Sequence, residues 1–193
     1  MRTLLDEKSG AKVVLLGNSG AGKTSILQSQ LQNLSNISIQ PTIGCQFHEV
    51  PININNETVA LKVWDTAGQE VYRSIVPVYV RDAAAAILVY DITDLSSFQS
   101  LDQWRSLLLE EQTGNVALHV VCNKIDLVDD AKVDEKVALQ FADKIGASFF
   151  KVSAIEGKGI SELFTEVAKS INNDAFCRAK KVHINDNEGS GCC

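Results

Sequence analysis

The chain of 193 residues has few of the features that mark membrane-spanning, secreted or nucleic-acid-binding proteins. No uninterrupted apolar run approaches the roughly 20 residues that a transmembrane helix needs. The five cysteines are too few and too irregularly spaced for a disulfide framework. The first ten residues mix charges and lack the apolar core of a signal peptide. A net charge of −6 argues against a protein that binds nucleic acid through a basic surface. We therefore expect about one soluble domain, located in the cytosol.

Apolar periodicity predicts strands that alternate with helices. Five short apolar runs are typical of central strands: residues 12–16, 58–64, 83–90, 116–122 and 148–152. Three sets of apolar residues recur at helical spacing between or after them: Phe98, Leu101 and Leu108, then Val133, Val137, Phe141 and Ile145, then Ile160, Leu163, Phe164, Val167, Ala168 and Ile171. Asp94 is the expected cap of the first set. This alternation predicts an α/β domain whose mostly parallel sheet carries helices on both faces.

One pair of strands is expected to be antiparallel. Residues 46–54 and 58–64 flank Asn55-Asn56-Glu57, which is typical of a hairpin turn. Pro51 cannot donate a hydrogen bond to a neighbouring strand, so its strand should lie at an edge of a six-stranded sheet. The folded domain should cover residues 11–172. Residues 173–193 lose apolar periodicity and are predicted to form a flexible tail.

The clearest motif is a phosphate-binding loop. Residues 17–24 match G-x-x-x-x-G-K-[ST] between a predicted strand and a predicted helix, which is the context that the motif requires. Glycines let successive backbone N–H groups face one concavity, and the helix adds the positive end of its dipole. Lys23 should reach the terminal phosphates, and the Thr24 hydroxyl should ligate Mg²⁺. The alternative, a glycine-rich turn with a surface lysine, does not account for this context. The predicted phosphate-binding residues here are Ser19, Gly20, Ala21, Gly22, Lys23, Thr24 and Ser25.

A second motif, Asn123-Lys124-Ile125-Asp126, follows a predicted strand and favours a guanine base. An aspartate carboxylate can accept paired hydrogen bonds from the N1–H and 2-amino groups of guanine. Adenine offers neither group, so it would leave the carboxylate unpaired. By itself the tetrapeptide could be an ordinary turn after a strand. Its place downstream of a phosphate loop favours the nucleotide interpretation.

In order along the chain, these motifs resemble those of Ras-superfamily small GTPases. The shared strings are residues 17–24, Thr42 in Pro-Thr-Ile-Gly, Asp65-Thr-Ala-Gly-Gln69 and residues 123–126, and the resemblance covers residues 11–172. Within the superfamily the chain is most similar to Rab GTPases. The strings that carry this similarity are residues 42–47, 64–70, 88–93 and the terminal Cys192-Cys193. The resemblance implies the three-layer P-loop fold of Ras-like proteins and a GTP/GDP switch.

The resemblance also implies roles for residues between the motifs. Thr42 would ligate Mg²⁺ and contact the γ-phosphate, Asp65 would hold the metal through water, and the Gly68 N–H would contact the γ-phosphate. Because these contacts need three phosphates, hydrolysis would release the segment around Thr42 and the segment around Gly68. Gln69 would orient the attacking water. No arginine of this chain clearly occupies the transition-state position, so intrinsic hydrolysis should be slow and a partner's arginine should accelerate it.

Two positions depart from the family pattern at the base. The loop Ser153-Ala154-Ile155 has isoleucine where the family has lysine, although the Ala154 N–H can still contact guanine. Ser35 stands where the family has an aromatic residue stacked on the base, so we expect faster GDP release. The implied guanine-binding residues are Asn123, Lys124, Asp126, Ser153, Ala154 and Ile155.

Two further features carry expectations about partners. Phe47, Trp64 and Tyr79 match the aromatic trio through which Rabs present a surface to effectors, although ordinary packing is the alternative. The resemblance implies geranylgeranyl groups on Cys192 and Cys193. The alternative there is two merely tolerated cysteines. From Asp174 onward three basic and three acidic residues cancel, so no polybasic patch supplements the lipids and stable anchoring needs both.

The leading prediction is a monomeric, membrane-recruited Rab-type GTPase that uses Mg²⁺ and controls vesicle traffic. Its implied partners are an exchange factor, a GTPase-activating protein, effectors and a prenyl-binding chaperone, with no nucleic acid. The expected location is the cytosol and the cytoplasmic face of intracellular membranes, with endosomes suggested by similarity to endocytic Rabs. One alternative is a GTP-binding interaction module with little hydrolysis, suggested by Ser35 and Ile155. Another is an ATP enzyme such as a kinase, which Asp126 disfavours.

Overall fold

A six-stranded sheet organises the part of the chain that the computed structural model describes, residues 10–31, 45–54, 57–66 and 76–171. Its strands are β1 Ala11–Leu16, β2 Cys45–Ile54, β3 Glu57–Thr66, β4 Ala85–Asp91, β5 Ala117–Asn123 and β6 Ser148–Lys151. Their order across the sheet is β2-β3-β1-β4-β5-β6. Only the β2–β3 pair is antiparallel, and the other four pairs are parallel. This confirms the predicted fold class.

The edge position of β2 is also confirmed. Pro51 lies opposite Ala60 in the β2–β3 ladder, and β2 has no neighbour on its other side within the described sheet. A proline is tolerated there because its missing N–H costs no hydrogen bond to a second strand. The predicted turn residues Asn55 and Asn56 lie outside the described residues.

Helices cover both faces of the sheet. They are α1 Lys23–Gln30, α2 Val76–Val80, α3 Leu95–Gln99, α4 Leu101–Glu110, α5 Glu135–Lys144 and α6, residues 160–171, with a 3₁₀ helix at Ile125–Asp130. The predicted cap is confirmed, because the Asp94 side chain accepts a hydrogen bond from the Ser96 N–H. The apolar set that begins at Phe98 spans two helices, since Ser100 ends α3 and precedes α4.

The period of two along the strands places alternate residues in two separate cores. In β1, Val13 and Leu15 face a cluster with α1 and α6, whereas Val14 and Leu16 face a cluster with α2, α4 and α5. All seven residues of β4 are buried, as expected for a central strand that is covered on both faces. The sheet is therefore the middle of three layers.

Helix α5 is present as predicted, and Val133, Phe141 and Ile145 of the predicted apolar set pack in the core, but Val137 does not. Val137 is 50% exposed, whereas Ala138 and Ala142 are 0% and 1% exposed. A step of four residues overshoots one helical turn by about 40°, so a set spaced by four drifts around the helix. Small alanines consequently face the sheet. The helix begins after Asp134, whose side chain accepts hydrogen bonds from the Lys136 and Val137 N–H groups.

Candidate functional site

The parallel strands bring every described loop that carries a motif to one edge of the sheet. Strands β1, β3, β4, β5 and β6 run in the same direction, so their carboxyl ends share that edge. The phosphate loop follows β1, Asp65 lies at the end of β3, and Asn123 ends β5. Ligands of open α/β sheets bind at this edge. Motifs that are distant in the sequence thus form one candidate site.

The phosphate loop leads into α1 through a left-handed residue. Gly22 has φ 93° at the start of the helix, and as the N-cap residue it has no side chain with which to cap the helix. The backbone N–H groups at the start of a helix and the helix dipole together favour an anion. Ser19 and Gly20 are exposed at the tip of the loop, whereas Ala21 is buried. The loop therefore presents its backbone at the tip and is packed at its base.

Lys23 is buried at the start of α1, with 5% of its surface exposed. Its Nζ atom donates hydrogen bonds to the carbonyl oxygens of Gly17 at 2.8 Å and Asn18 at 3.0 Å. Burial lowers the pKa of Lys23 to about 8, and the negative charge of Asp65 acts in the opposite direction. The ammonium group thus contacts the backbone of the phosphate loop itself. The negative charge of a bound phosphate would raise the pKa of Lys23 again.

Thr24 and Asp65 form a pair of oxygen donors beside Lys23. The Thr24 hydroxyl donates to Asp65 Oδ2 at 2.6 Å, and Asp65 is fully buried. Hydroxyl and carboxylate oxygens suit Mg²⁺, which proteins hold through one or two side chains together with substrate phosphates. No group of three or more His, Cys, Asp or Glu residues that could hold a metal occurs in the described ranges. The donor set fits a metal that is shared with phosphate oxygens.

The base loop is held by two short side-chain contacts. The Ser153 hydroxyl donates to Asp126 Oδ1 at 2.5 Å, so Ser153 fixes the carboxylate that is predicted to contact guanine. Lys124 has a left-handed backbone with φ 65°, and its Nζ donates to Asp91 Oδ2 at 2.5 Å. Burial acts to raise the pKa of Asp91, but hydrogen bonds from Lys124 and Thr93 outweigh it and keep that pKa below its ordinary value. Asp91 thus holds a strained residue of the base motif in place.

Asn123 joins the phosphate and base loops directly. Its Nδ2 donates to the Ala21 carbonyl oxygen at 2.9 Å, and its Oδ1 accepts from the Ala154 N–H at 3.2 Å. Asn123 is 1% exposed, so these bonds form away from water and their loss would leave buried polar groups unpaired. The sequence predicted Asn123 as a base contact. The structure places its amide between the two loops.

Ile155 is 69% exposed beside the nearly buried Ala154. The Ala154 N–H donates to Asn123 Oδ1 at 3.2 Å, whereas most of the Ile155 surface is exposed. An apolar side chain thus takes the exposed position where the family pattern has lysine.

The three predicted aromatic residues lie together. The ring centroids of Phe47 and Trp64 are 5.5 Å apart, and those of Trp64 and Tyr79 are 5.7 Å apart. The Lys12 ammonium lies 5.2 Å from the Trp64 ring centroid, a cation–π distance. Phe47 is 46% exposed, so the trio packs together and also presents a face to solvent.

Several predicted site residues lie outside the described residues. They are Ser35, Thr42, Gly68, Gln69, Cys192 and Cys193, together with the predicted tail. Within the described ranges, no helix is both long and apolar enough to span a bilayer. Asp91 belongs to the site but was missed from the sequence, because it lies in an ordinary Asp-x-Thr turn with no spacing relation to Lys124.

Comparison with known proteins identifies the same family over most of the chain. Residues 12–173 match the model of the Ras family. The chain is 43% identical to Ras-related protein Rab-21 of Geodia cydonium over 83% of its length and 70% of that protein. It is 40% identical to human Ras-related protein Rab-22A over 83% of its length and 82% of that protein. It is also 38% identical to Ras-related protein Rab5 of Nicotiana tabacum, over 95% and 94% of the two chains.

Proposed function

This chain belongs to the Rab family of Ras-related small GTPases, which hydrolyse GTP to GDP in vesicle trafficking, and we propose that its carboxyl-edge site performs this reaction. The observation that carries the proposal is the Asn123 bridge between Ala21 and Ala154. It places the loop bearing Lys23 and the loop bearing Asp126 side by side. One nucleotide can therefore span both loops, with its phosphates at one and its base at the other.

We propose that the phosphates are bound by backbone N–H groups at the start of α1 and by the Lys23 ammonium. The exposure of Ser19 and Gly20 at the tip of the loop supports this assignment, because phosphates can reach the backbone there. Residues outside the described ranges complete the proposed contacts to the γ-phosphate. The full set is Ser19, Gly20, Ala21, Gly22, Lys23, Thr24, Ser25, Thr42 and Gly68.

We propose that guanine is bound by the loops after β5 and β6, with the Asp126 carboxylate accepting from its N1–H and 2-amino groups. The short bond from the Ser153 hydroxyl to Asp126 supports this role, because it fixes the orientation of the carboxylate. The proposed guanine-binding residues are Asn123, Lys124, Asp126, Ser153, Ala154 and Ile155.

Ras-family GTPases use Mg²⁺ with GTP, and we assign its ligands here to Thr24, Thr42 and, through water, Asp65. The contact between Thr24 Oγ1 and Asp65 Oδ2 supports the pairing of these oxygens. Bound Mg²⁺ would offset negative charge on the β- and γ-phosphates. Gln69 is the proposed residue that orients the attacking water, so hydrolysis depends on a side chain that performs no covalent step.

Residues 11–172 are proposed to form the GTP-binding domain, and residues 173–193 a flexible tail that carries two geranylgeranyl groups on Cys192 and Cys193. Rab proteins act with regulators and effectors. The trio Phe47, Trp64 and Tyr79 is the proposed effector surface, supported by the exposed face of Phe47. The proposed protein is a monomer on the cytoplasmic face of intracellular membranes, endosomes included, and a prenyl-binding chaperone would carry it through the cytosol.

Single-turnover hydrolysis of bound GTP tests the reaction. We expect slow hydrolysis in the wild type and a much slower rate in Gln69→Leu, with guanine preferred over adenine in competition with ATP. Gln103→Leu makes the same substitution at an exposed position of α4 and should leave the rate unchanged. Guanine binding with a rate equal to that of Gln69→Leu would favour the interaction module. A failure to prefer guanine over adenine would overturn both the GTPase and the interaction-module hypotheses.

Removal of the metal tests the ligand assignment. EDTA should accelerate GDP release from the wild type, and Thr24→Ala should release GDP quickly with or without EDTA. Thr58→Ala removes an exposed hydroxyl that bonds Asn53, far from the site, and should respond to EDTA like the wild type. An unchanged EDTA response in Thr24→Ala would contradict the assignment.

A further inference from the structure

The side chain of Asn18 in the phosphate loop is held by residues more than 80 positions away. Its Oδ1 atom accepts a hydrogen bond from the Trp104 indole Nε1–H at 3.0 Å and one from the Ser100 hydroxyl at 2.8 Å. Trp104 lies in α4 and Ser100 immediately precedes that helix. Neither residue belongs to a nucleotide-binding motif, so their role is not explained by the site described above.

The chemistry of tryptophan fixes the orientation of this contact. An indole N–H can only donate, so the Asn18 atom that faces it must be the carbonyl oxygen. Trp104 is 2% exposed and Ser100 is 8% exposed. Polar groups this deeply buried lose water on folding, so the hydrogen bonds that replace it hold the Asn18 side chain in one orientation.

The backbone of the same residue supports the loop. The Asn18 carbonyl oxygen accepts from Lys23 Nζ at 3.0 Å and from the Ala21 N–H at 3.3 Å. Fixing the Asn18 side chain therefore fixes the carbonyl group that helps to position the Lys23 ammonium. Helix α4 is tied in this way to the shape of the loop.

We propose that Trp104 and Ser100 are positioning residues for nucleotide binding, acting through the Asn18 side chain to hold the phosphate loop in its binding shape. This inference rests on the proposed function of the loop. A loop that is already held in the bound shape loses less freedom when the phosphates arrive, so it binds them more tightly. Weakening the anchor should therefore speed GDP release.

A chain of polar contacts continues from Ser100 to the base loop. The Ser100 hydroxyl has a single hydrogen, and the Ser97 carbonyl oxygen at 2.8 Å shares it with Asn18 Oδ1. The Ser97 hydroxyl in turn accepts from the Asp91 N–H at 3.0 Å. Asp91 in turn holds Lys124. The segment between β4 and α4 thus supports both loops, and a change at Ser100 can reach either of them.

Trp104→Phe tests the anchor, since it removes the N–H donor and keeps an aromatic ring in the core. The loss of one hydrogen bond should raise the GDP dissociation rate about three- to tenfold. The ³¹P NMR signal of the bound β-phosphate should shift as well, because the loop around it relaxes. Ser170→Ala is the matched control. It removes a hydroxyl that contacts buried His119 on the opposite face of the sheet, and it should leave release and the ³¹P signal unchanged.

A double-mutant cycle separates positioning from general loss of packing. If Trp104 acts through Asn18, Trp104→Phe should add little to the release rate of Asn18→Ala. Additive effects, or release from Trp104→Phe as slow as from the wild type, would overturn the inference. Should Trp104→Phe fail to fold, Ser100→Ala in the same cycle answers the question with the indole intact. Failure of the wild type to bind GDP would instead refute the proposed function of the loop.

Discussion

Replacing Gly22 by alanine offers the sharpest test of the contact between the two nucleotide loops. A Cβ atom at this position would lie 2.2 Å from Asn123 Nδ2, far inside any possible contact distance. Asn123 is buried and cannot swing into solvent. Its amide must move, and its hydrogen bonds to Ala21 and Ala154 would then stretch or break.

The expected cost has two parts. Gly22 has φ 93°, and an alanine in the left-handed region costs about 1–2 kcal/mol. The two Asn123 hydrogen bonds contribute a further ~0.5–1.5 kcal/mol each, or ~1–3 kcal/mol together. If the loss of these two hydrogen bonds destabilises only the conformation that binds GDP, GDP affinity falls by roughly 5- to 150-fold.

Gly20→Ala is the control that isolates the collision. Gly20 also has a positive φ, 78°, but a Cβ there would meet nothing within 4 Å. Both variants therefore carry backbone strain, and only Gly22→Ala displaces Asn123. Titration of each with a fluorescent GDP analogue, alongside thermal unfolding without nucleotide, measures the difference. Equal affinities and equal melting temperatures in the two variants would refute the argument.

Two further predictions concern single buried contacts. Burial lowers the pKa of His119 to about 4 from 6.5, so the unfolded chain binds the proton first as the pH falls. Between pH 6.5 and 4 the wild type should lose up to about 3 kcal/mol of stability that His119→Gln keeps, as urea unfolding across this range would measure. Unfolding free energies of the wild type and His119→Gln that change in parallel with pH would contradict this prediction. Ser153→Ala should speed GDP release about fivefold by freeing Asp126. Ser96→Ala removes an exposed hydrogen bond to Asp94 and should leave GDP release unchanged. Equal release rates in Ser153→Ala and Ser96→Ala would refute the role of Ser153.

The arrangement of the sheet could be predicted from local patterns because each strand carries its own signal. Apolar runs locate the strands to within a few residues, and Pro51 identifies the edge. The predicted ends were less accurate where polar residues continue a ladder. Strand β5, for example, extends to Asn123, which pairs with Asp91 of β4. Backbone hydrogen bonds determine where such a strand ends, and the apolar periodicity of the sequence does not predict them.

The supports of the site could not be predicted, because they join residues that are distant in sequence. Nothing in the order of residues relates Asn18 to Trp104, 86 positions later, or Lys124 to Asp91. Both pairs exist because the parallel strands bring the segments that follow them to one edge. The motif residues themselves remain predictions as ligand contacts, although the structure places Lys23, Thr24, Asp65, Asn123 and Asp126 at that edge.

The packing of α6 against β1 has a consequence for a chain that is still being made. Val13 and Leu15 precede the phosphate loop and share a core with Leu163 and Phe164 of α6. A ribosome releases the first pair long before the second. Until α6 emerges, only α1 can cover this apolar face of the strand that carries the loop, and the part that stays exposed is a target for chaperones and for aggregation. A truncated chain that ends at residue 159, just before α6, would retain the described motif residues but lack the α6 part of the layer behind β1. We expect such a chain to be degraded before it can compete for nucleotide.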